Sequence, residues 1–478
     1  MSIRRVHGLS LIVIVLFLTA CITDAKIDQL GGEEAEKVEK QMGLVGDAAL
    51  VAYVDALGRK LAAVSDRPEG PWRFLIIDMP EPNAFALPGG HVYVSRGLLA
   101  LVNSEDELAG VIGHEIGHVT AGHSAKRVRA TVATSPVSIA SGLAGFATSI
   151  VSPSLGRMVA NSGQMLQAGL VVAPYGRSQE NEADEIGQRI ASRAGYDPAG
   201  LTAFLHSLDR EVELLTGEQR SASFLDTHPV TADRVAKTRS RAQDLPHTPG
   251  RPIAADRAAL FAKIDGLVVG PDPAKGVFID GVFQHPELNA RFAIPSGWEP
   301  AGNDDAVGAV SPGKDALVFV GIAEEGATLD AVLATLKEEQ PGLVFDRFSV
   351  GKLPAARTRM TDRKRFVQID LIEHGGDVYS MVGQAEGDNA TRYATTFDAT
   401  TRSFRPMTWL ERKSLVETRL RIREARSGET SAQLGKRVGT SWSDEQVAVA
   451  NGVETSKRFS AGEPVKVGIE QRYTPRSG

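Results

Sequence analysis

His114-Glu115-Ile116-Gly117-His118 lies inside the apolar, helix-patterned run Leu108–Val119. On an α-helix, residues i and i+4 share a face, so the two imidazoles can reach one metal ion. Glu115 stands beside them, where a carboxylate can take a proton from metal-bound water. The neighbours Val111, Ile112, Ile116 and Val119 are apolar, so the helix expected over Ser104–Gly122 is a buried one. Three ionisable groups in one buried turn are costly without a metal to compensate them. The pentapeptide therefore reads as the metal helix of a zinc hydrolase, against the plainer alternative of a helix with two surface histidines.

A catalytic zinc usually takes three protein ligands and leaves one position open. Downstream, Ser178-Gln179-Glu180-Asn181-Glu182-Ala183-Asp184 opens a helix expected over Gln179–Ala194, and Glu180 and Asp184 are again i and i+4. Glu182 points away from that face and reads as surface; the alternative for the whole segment is an ordinary acidic helix start. The pattern is similar to that of gluzincin-type zinc proteases. That resemblance implies Glu180 as the third metal ligand and Asp184 as the partner of a ligand histidine's outer nitrogen, most naturally that of His114.

The stretch Asn83–Leu98, the run His114–His123, then Glu180–Asp184 and Thr227-His228-Pro229 occur in this order. Together they resemble the M48 family of zinc metalloproteases, in its periplasmic and mitochondrial quality-control branch, over roughly residues 30–245. The resemblance implies an α+β fold, with a mainly helical, gluzincin-type zincin domain carrying a small sheet. It also implies one Zn²⁺ per chain, held by His114, His118 and Glu180. Glu115 is then the general base, later passing its proton to the leaving amine. His228 has three readings: a donor to the oxyanion, a resting occupant of the open zinc position, or a packing histidine before a helix over Ala232–Arg241. Arg234 and Tyr175 are weaker candidates for oxyanion stabilisation.

His123 follows His118 by five residues, about 140° around a continuous helix, and so is expected to pack or cap rather than bind the metal. Gly90–Ser95 alternates as a strand does, and the family likeness places such a strand beside the zinc helix, pairing with extended substrate backbone. His91 has no independent claim to the metal.

The N-terminus begins with Arg4-Arg5 and the apolar stretch Leu9–Thr19, then Leu18-Thr19-Ala20-Cys21. The apolar core is too short to span a bilayer and reads as a secretory signal over residues 1–20. The small-residue site ending at Cys21 matches a bacterial lipobox, and Cys21 is the only cysteine among 478 residues. A lipid-modified thiol needs no disulfide partner; an ordinary cleaved signal is the alternative. Residue 22 is Ile rather than Asp, which favours the outer membrane. The expected location is thus the periplasm of a Gram-negative bacterium, on a lipid anchor. A net charge of −6 gives no indication of nucleic-acid binding.

Residues 21–32 read as a tether and 33–245 as the peptidase domain, with helical patterning from Glu33 through Leu61. Between the two metal helices, Val132–Gly156 contains no charged residue and is interrupted by Pro136 and Pro153. It reads either as a loosely helical plug near the metal or as an amphipathic hairpin. Residues 246–276, rich in Pro, Asp and Gly, read as a linker. Residues 277–407 mix strands and helices as an α/β accessory domain, in which His285 and His374 lack partners at ligand spacing. Residues 416–472 run strand, helix, helix, strand and resemble a LysM-like module of the peptidoglycan-binding type; a structural add-on without glycan affinity is the alternative. No 34-residue repeat is present.

The expected function is a lipid-anchored zinc endopeptidase that cleaves misfolded or stalled envelope proteins, with peptidoglycan as a further contact if the last region binds glycan. A chaperone or scaffold with restricted proteolysis is the alternative class; intact Glu115 favours an active enzyme.

Overall fold

Gly43 splits the N-terminal helical pattern in two. In the computed structural model, which describes residues 24–127, 175–215, 224, 228–229, 231–302, 306–361, 364–388 and 390–475, α1 spans Asp24–Met42 and α2 spans Ala48–Ala62. Gly43 takes φ 68°, Leu44 bridges to Ile77, and Asp47 caps the amides of Ala49 and Leu50. A left-handed glycine followed by a capping aspartate ends one helix and starts the next, so the single helix expected from Glu33 to Leu61 is two. The expected tether is corrected as well: α1 begins inside it and buries Ile27, Ala35 and Val38. Cys21 and the uncharged insert 132–156 lie outside the described residues.

The chain divides into two compact units. Of the described residues, the first holds 24–127, 175–270 and 418–470, and the second 271–417 and 471–475. In the first, β1 (Arg73–Ile77), β2 (Ala84–Leu87) and β3 (His91–Ser95) form a sheet of order β1-β3-β2. β3 pairs in parallel with β1 and antiparallel with β2. The strand expected to receive substrate is therefore the middle one, with both edges used, and β1 and β2 are the edge strands. Alternation alone located a strand without revealing its neighbours.

After β3 come α3 (Arg96–Leu101), α4 (Glu105–Thr120), α5 (Arg177–Arg193), α6 (Ala199–Leu215) and α7 (Ala232–Asp244). Ser104 caps α4 by accepting from the Glu107 amide, and Glu105, Asp106 and Glu107 occupy its first turn, where negative charge is favoured. α4 is buried almost all round, as a helix through the middle of a domain must be. The segment expected as a linker carries α8 (Arg257–Ile264) and β4 (Val268–Val269), because Asp256 caps a short apolar helix that buries Leu260, Phe261 and Ile264.

The second unit is built on a seven-stranded sheet. After β5 (Val277–Ile279), β6 (Val282–His285) and β7 (Ala290–Ala293), which pair in a smaller sheet, its strands are β8 (Glu299–Gly302), β9 (Ala306–Val310), β10 (Ala316–Glu324), β11 (Asp346–Val350), β12 (Leu353–Thr361), β13 (Arg365–His374) and β14 (Asp377–Glu386). Their order is β11-β12-β13-β14-β10-β9-β8. One helix (Leu329–Glu339) buries Leu329, Val332 and Leu336 against Ile369, Leu371 and Val382. A second (Ala394–Ser403) sets Phe397 among Phe366, Met381 and Phe404. Packing one helix onto each alternating apolar set is how an antiparallel sheet buries both faces.

The last region folds as Val416–Glu424, Ser431–Val438, Asp444–Ala450 and Pro464–Arg472, a strand–helix–helix–strand order. Its first strand pairs with β4 of the first unit, and Leu420 and Val449 join that unit's hydrophobic core. Lys466 is fully buried there, and its Nζ donates to the carbonyls of Ala100, Leu101 and Val102 at 2.8, 3.0 and 2.9 Å. Three acceptors match the three donors of an ammonium group. Burial pushes its pKa well down, against the pull of the Glu107 and Glu211 carboxylates. Asn451 pairs with the backbone of Lys466, and Arg257 joins the carbonyl of Asn451 to the side chain of Asn103. No helix among the described residues is long and apolar enough to cross a membrane.

Replacing Lys466 by Met would take this donor from the buried carbonyls of Ala100 and Val102, while that of Leu101 keeps the Asn103 amide. The expected cost is about 2–4 kcal/mol of unfolding free energy, read from urea denaturation of the full chain. An unchanged midpoint would show that this lysine does not hold the C-terminal region to α3.

Candidate metal centre

Glycine sets the distance between the two helices that carry the metal residues. A Cβ on Gly187 would stand 2.6 Å from the His114 amide nitrogen, and one on Gly113 or Gly117 would stand 2.9 Å from the carbonyl oxygen of Gly187 or Ala183. With no side chains at these points the backbones of α4 and α5 meet closely. Glu180 and Asp184 then project from α5 onto the histidine face of α4.

The result is a buried cluster in which one ligand atom each of His114, His118, Glu180 and His228 lies within 4.8 Å of every other. His118 Nε2 is 3.0 Å from His114 Nε2 and 3.4 Å from a Glu180 oxygen. His228 Nδ1 is 3.2 Å from His114 Nε2 and 3.0 Å from Glu180 Oε1. The sequence assigned His114, His118 and Glu180 to the metal, and the fold brings those three together; His228 enters the same cluster as a fourth donor.

The outer partners follow the same logic. His114 Nδ1 is 2.9 Å from Asp184 Oδ1, the contact expected from the family likeness. Arg234, named only as a weak oxyanion candidate, has a different position: it sits behind the ligands. Its Nη1 is 2.7 Å from Glu180 Oε2, and its Nε and Nη2 are each 2.8 Å from Asp184 oxygens. Burial pushes the Asp184 carboxyl up, but Arg234 and the His114 contact outweigh it and hold the group below its ordinary range. Glu180 is likewise held low, with His228, His118 and His114 overcoming its burial. Burial drives His118 well below the usual histidine value, which suits a neutral ligand.

Tyr175 stacks on His118, with ring centroids 3.8 Å apart and planes at 19°, and its hydroxyl is 3.3 Å from Ser124 Oγ. Burial pushes its pKa up to about 12. His228 stacks on Phe224 at 4.4 Å and 18°. His123 and Glu182, expected to pack and to face solvent, meet each other: His123 Nε2 is 3.2 Å from Glu182 Oε2, while Glu182 remains largely exposed. The 140° argument against His123 assumed a continuous helix, but α4 ends at Thr120 and Gly122 turns the chain at φ 70°. His91 is not in the cluster.

Does this donor set fit a metal? Glu115, Glu180 and Asp184 bring three formal negative charges into a buried space, and Arg234 returns one positive charge. The formal excess of two negative charges is what a divalent cation balances. Both Glu115 carboxylate oxygens are buried and find no hydrogen-bond partner among the described residues. Such atoms are costly unless a cation or polar ligand faces them. Imidazole nitrogens with one carboxylate match zinc better than calcium or magnesium, which prefer all-oxygen shells.

Residues 48–242 match the model of peptidase family M48. The chain is 30% identical, over 50% of its length, to the beta-barrel assembly-enhancing protease of Yersinia pestis, of which the match covers 48%. It is 33% identical, over 39% of its length, to the mitochondrial metalloendopeptidase OMA1 of Schizosaccharomyces pombe, covering 51% of that protein. It is 27% identical, over 47% of its length, to metalloprotease LoiP of Escherichia coli K12, covering 84% of it. The chain thus spans about half the length of the first two of these relatives.

Asp184→Ala should leave the first ligands in place and release His114 and Arg234 from their common partner. Zinc affinity is expected to fall about 10–100-fold, measured by competition with a chromophoric chelator. Unchanged affinity would show that Asp184 does not orient His114.

Proposed function

We propose, from the match of residues 48–242 to peptidase family M48, that the chain is a zinc-dependent endopeptidase of the bacterial envelope. The observation that carries the reading is the buried excess of two negative charges around His114, His118 and Glu180, with Glu115 beside them. When bound there, zinc would act as a Lewis acid and lower the pKa of water toward about 7.

The chain's own groups supply the rest. Glu115 takes the proton at its carboxylate and returns it to the leaving amine, a task suited to a buried carboxylate that has no hydrogen-bond partner among the described residues. Asp184 and Arg234 hold the ligand side chains of His114 and Glu180 in place. The edge strand β2 offers backbone groups to an extended peptide, which favours unfolded over folded substrates. Misfolded or stalled envelope proteins are the proposed substrate class; in support, one relative is named for enhancing beta-barrel assembly. The periplasm, a lipid at Cys21 and the outer membrane are proposed on the N-terminal sequence alone. A gluzincin-type arrangement is proposed on Glu180 and Asp184, and a LysM-like role for the last region on its strand–helix–helix–strand order.

His228 favours a restrained form of this activity. Its Nδ1 stands among the metal-binding atoms, and its Nε2 is 3.6 Å from Glu115 Oε1. A substrate carbonyl would compete for the space that this ring fills. Of the readings open in the sequence, the geometry supports a resting state in which His228 occupies the fourth position.

Glu115→Gln should retain one zinc per chain yet lose casein cleavage by roughly 10²–10⁴-fold; full turnover in that variant would remove Glu115 from the chemistry. His228→Ala should raise basal cleavage severalfold. A fall of about 10²-fold or more would instead assign His228 to oxyanion stabilisation.

A further inference from the structure

His114 has a carboxylate on its outer nitrogen, and His118 reaches one as well, through a second imidazole. His118 faces the cluster with Nε2, and its Nδ1 is 3.1 Å from Nδ1 of His123. His123 is fully buried, and its Nε2 is 3.2 Å from Glu182 Oε2. We propose that His123 and Glu182 form an outer relay that fixes the tautomer and ring orientation of His118, making both of them positioning residues for the metal centre. The inference rests on the reading of His118 as a ligand.

The tautomers along the chain are set one after another. A neutral imidazole that ligates through Nε2 carries its proton on Nδ1. His118 Nδ1–H therefore donates, and His123 Nδ1 accepts with its lone pair. His123 must then carry its own proton on Nε2, which faces the Glu182 carboxylate. Each donor meets an acceptor, and the line ends on a negative charge that stabilises this arrangement over its reverse. Such outer contacts raise ligand basicity and hold the ring in position.

Two local features make the line possible. The left-handed Gly122 ends α4 and turns the chain, so that His123 lies beside His118 rather than a third of a turn away. Glu182 lies on α5 between Glu180 and Asp184, on the side of the helix that meets His123. Tyr175 closes the other side of His118 by stacking on it, and Ser124, next to His123, holds the tyrosine hydroxyl. The ring of His118 is thus held by contacts on its plane and at its edge.

The test is zinc affinity of the full chain, measured by chelator competition, together with thermal unfolding of the metal-free proteins. His123→Phe removes the acceptor and should weaken zinc binding about 10–100-fold. His123→Asn, whose side-chain oxygen can still accept from His118, should recover much of that loss. Glu182→Ala alters an exposed residue and should fold normally; it is expected to weaken binding by up to about 10-fold. In the His123→Phe background it should have no further effect, since a relay is non-additive. Metal-free unfolding temperatures for Glu182→Ala and wild type should coincide. Equal zinc affinity of Glu182→Ala and wild type, or losses at 123 and 182 that simply add, would overturn the relay while leaving the zinc site standing. Wild-type protein that takes up no zinc would overturn the ligand reading and the relay with it.

Discussion

The metal centre depends on how closely two helix backbones approach. Gly113, Gly117 and Gly187 remove the side chains that would otherwise hold α4 and α5 apart. Only at that separation can the short side chain of Asp184 reach the outer nitrogen of His114 while Glu180 reaches the inner ones. An added methyl at Gly187 would press on the His114 amide, and the surrounding core leaves little room to yield. The glycines inside and between the metal motifs are therefore part of the centre although they carry no ligand atom.

Once the helices are that close, charge becomes the governing problem. Three carboxylates share a buried space, and Arg234 neutralises one of them while touching two. The guanidinium's planar fork suits this task, since it can bind one carboxylate through two nitrogens and a second through the third. A divalent ion completes the balance. The same account explains why Arg234 belongs behind the ligands: its charge is already engaged by Glu180 and Asp184 and is not available to a developing oxyanion.

The C-terminal region illustrates a different constraint. A short strand–helix–helix–strand segment has little core of its own, and here it shares one with residues hundreds of positions earlier. Lys466 ends in the carbonyls that close α3, which are the acceptors a helix C-terminus leaves unmet. The role of that lysine is structural, and any glycan affinity of the region would have to be carried by other residues.

The sequence by itself determined the elements that rest on local pattern. Helix α4, strand β3, and helices α5 and α7 begin and end within a few residues of their expected places, because caps and periodicity act over one or two turns. Spacing at i and i+4 also placed His114 with His118 and Glu180 with Asp184, since a helix fixes which side chains share a face. Local pattern missed what depends on neighbours. It joined α1 to α2 across Gly43, took α8 for linker, and expected substrate to pair with β3, which lies in the middle of its sheet. Glu182 is at the surface and His123 is packed, as expected, but their meeting was not legible, because a left-handed turn at Gly122 is needed to set one beside the other. Tertiary structure alone decided that His228 points its Nδ1 into the cluster, that Arg234 stands behind it, and that Lys466 is buried. Each of these is a contact between residues distant in the chain, and their partners are settled only when burial forces every charge and hydrogen-bonding group to find one.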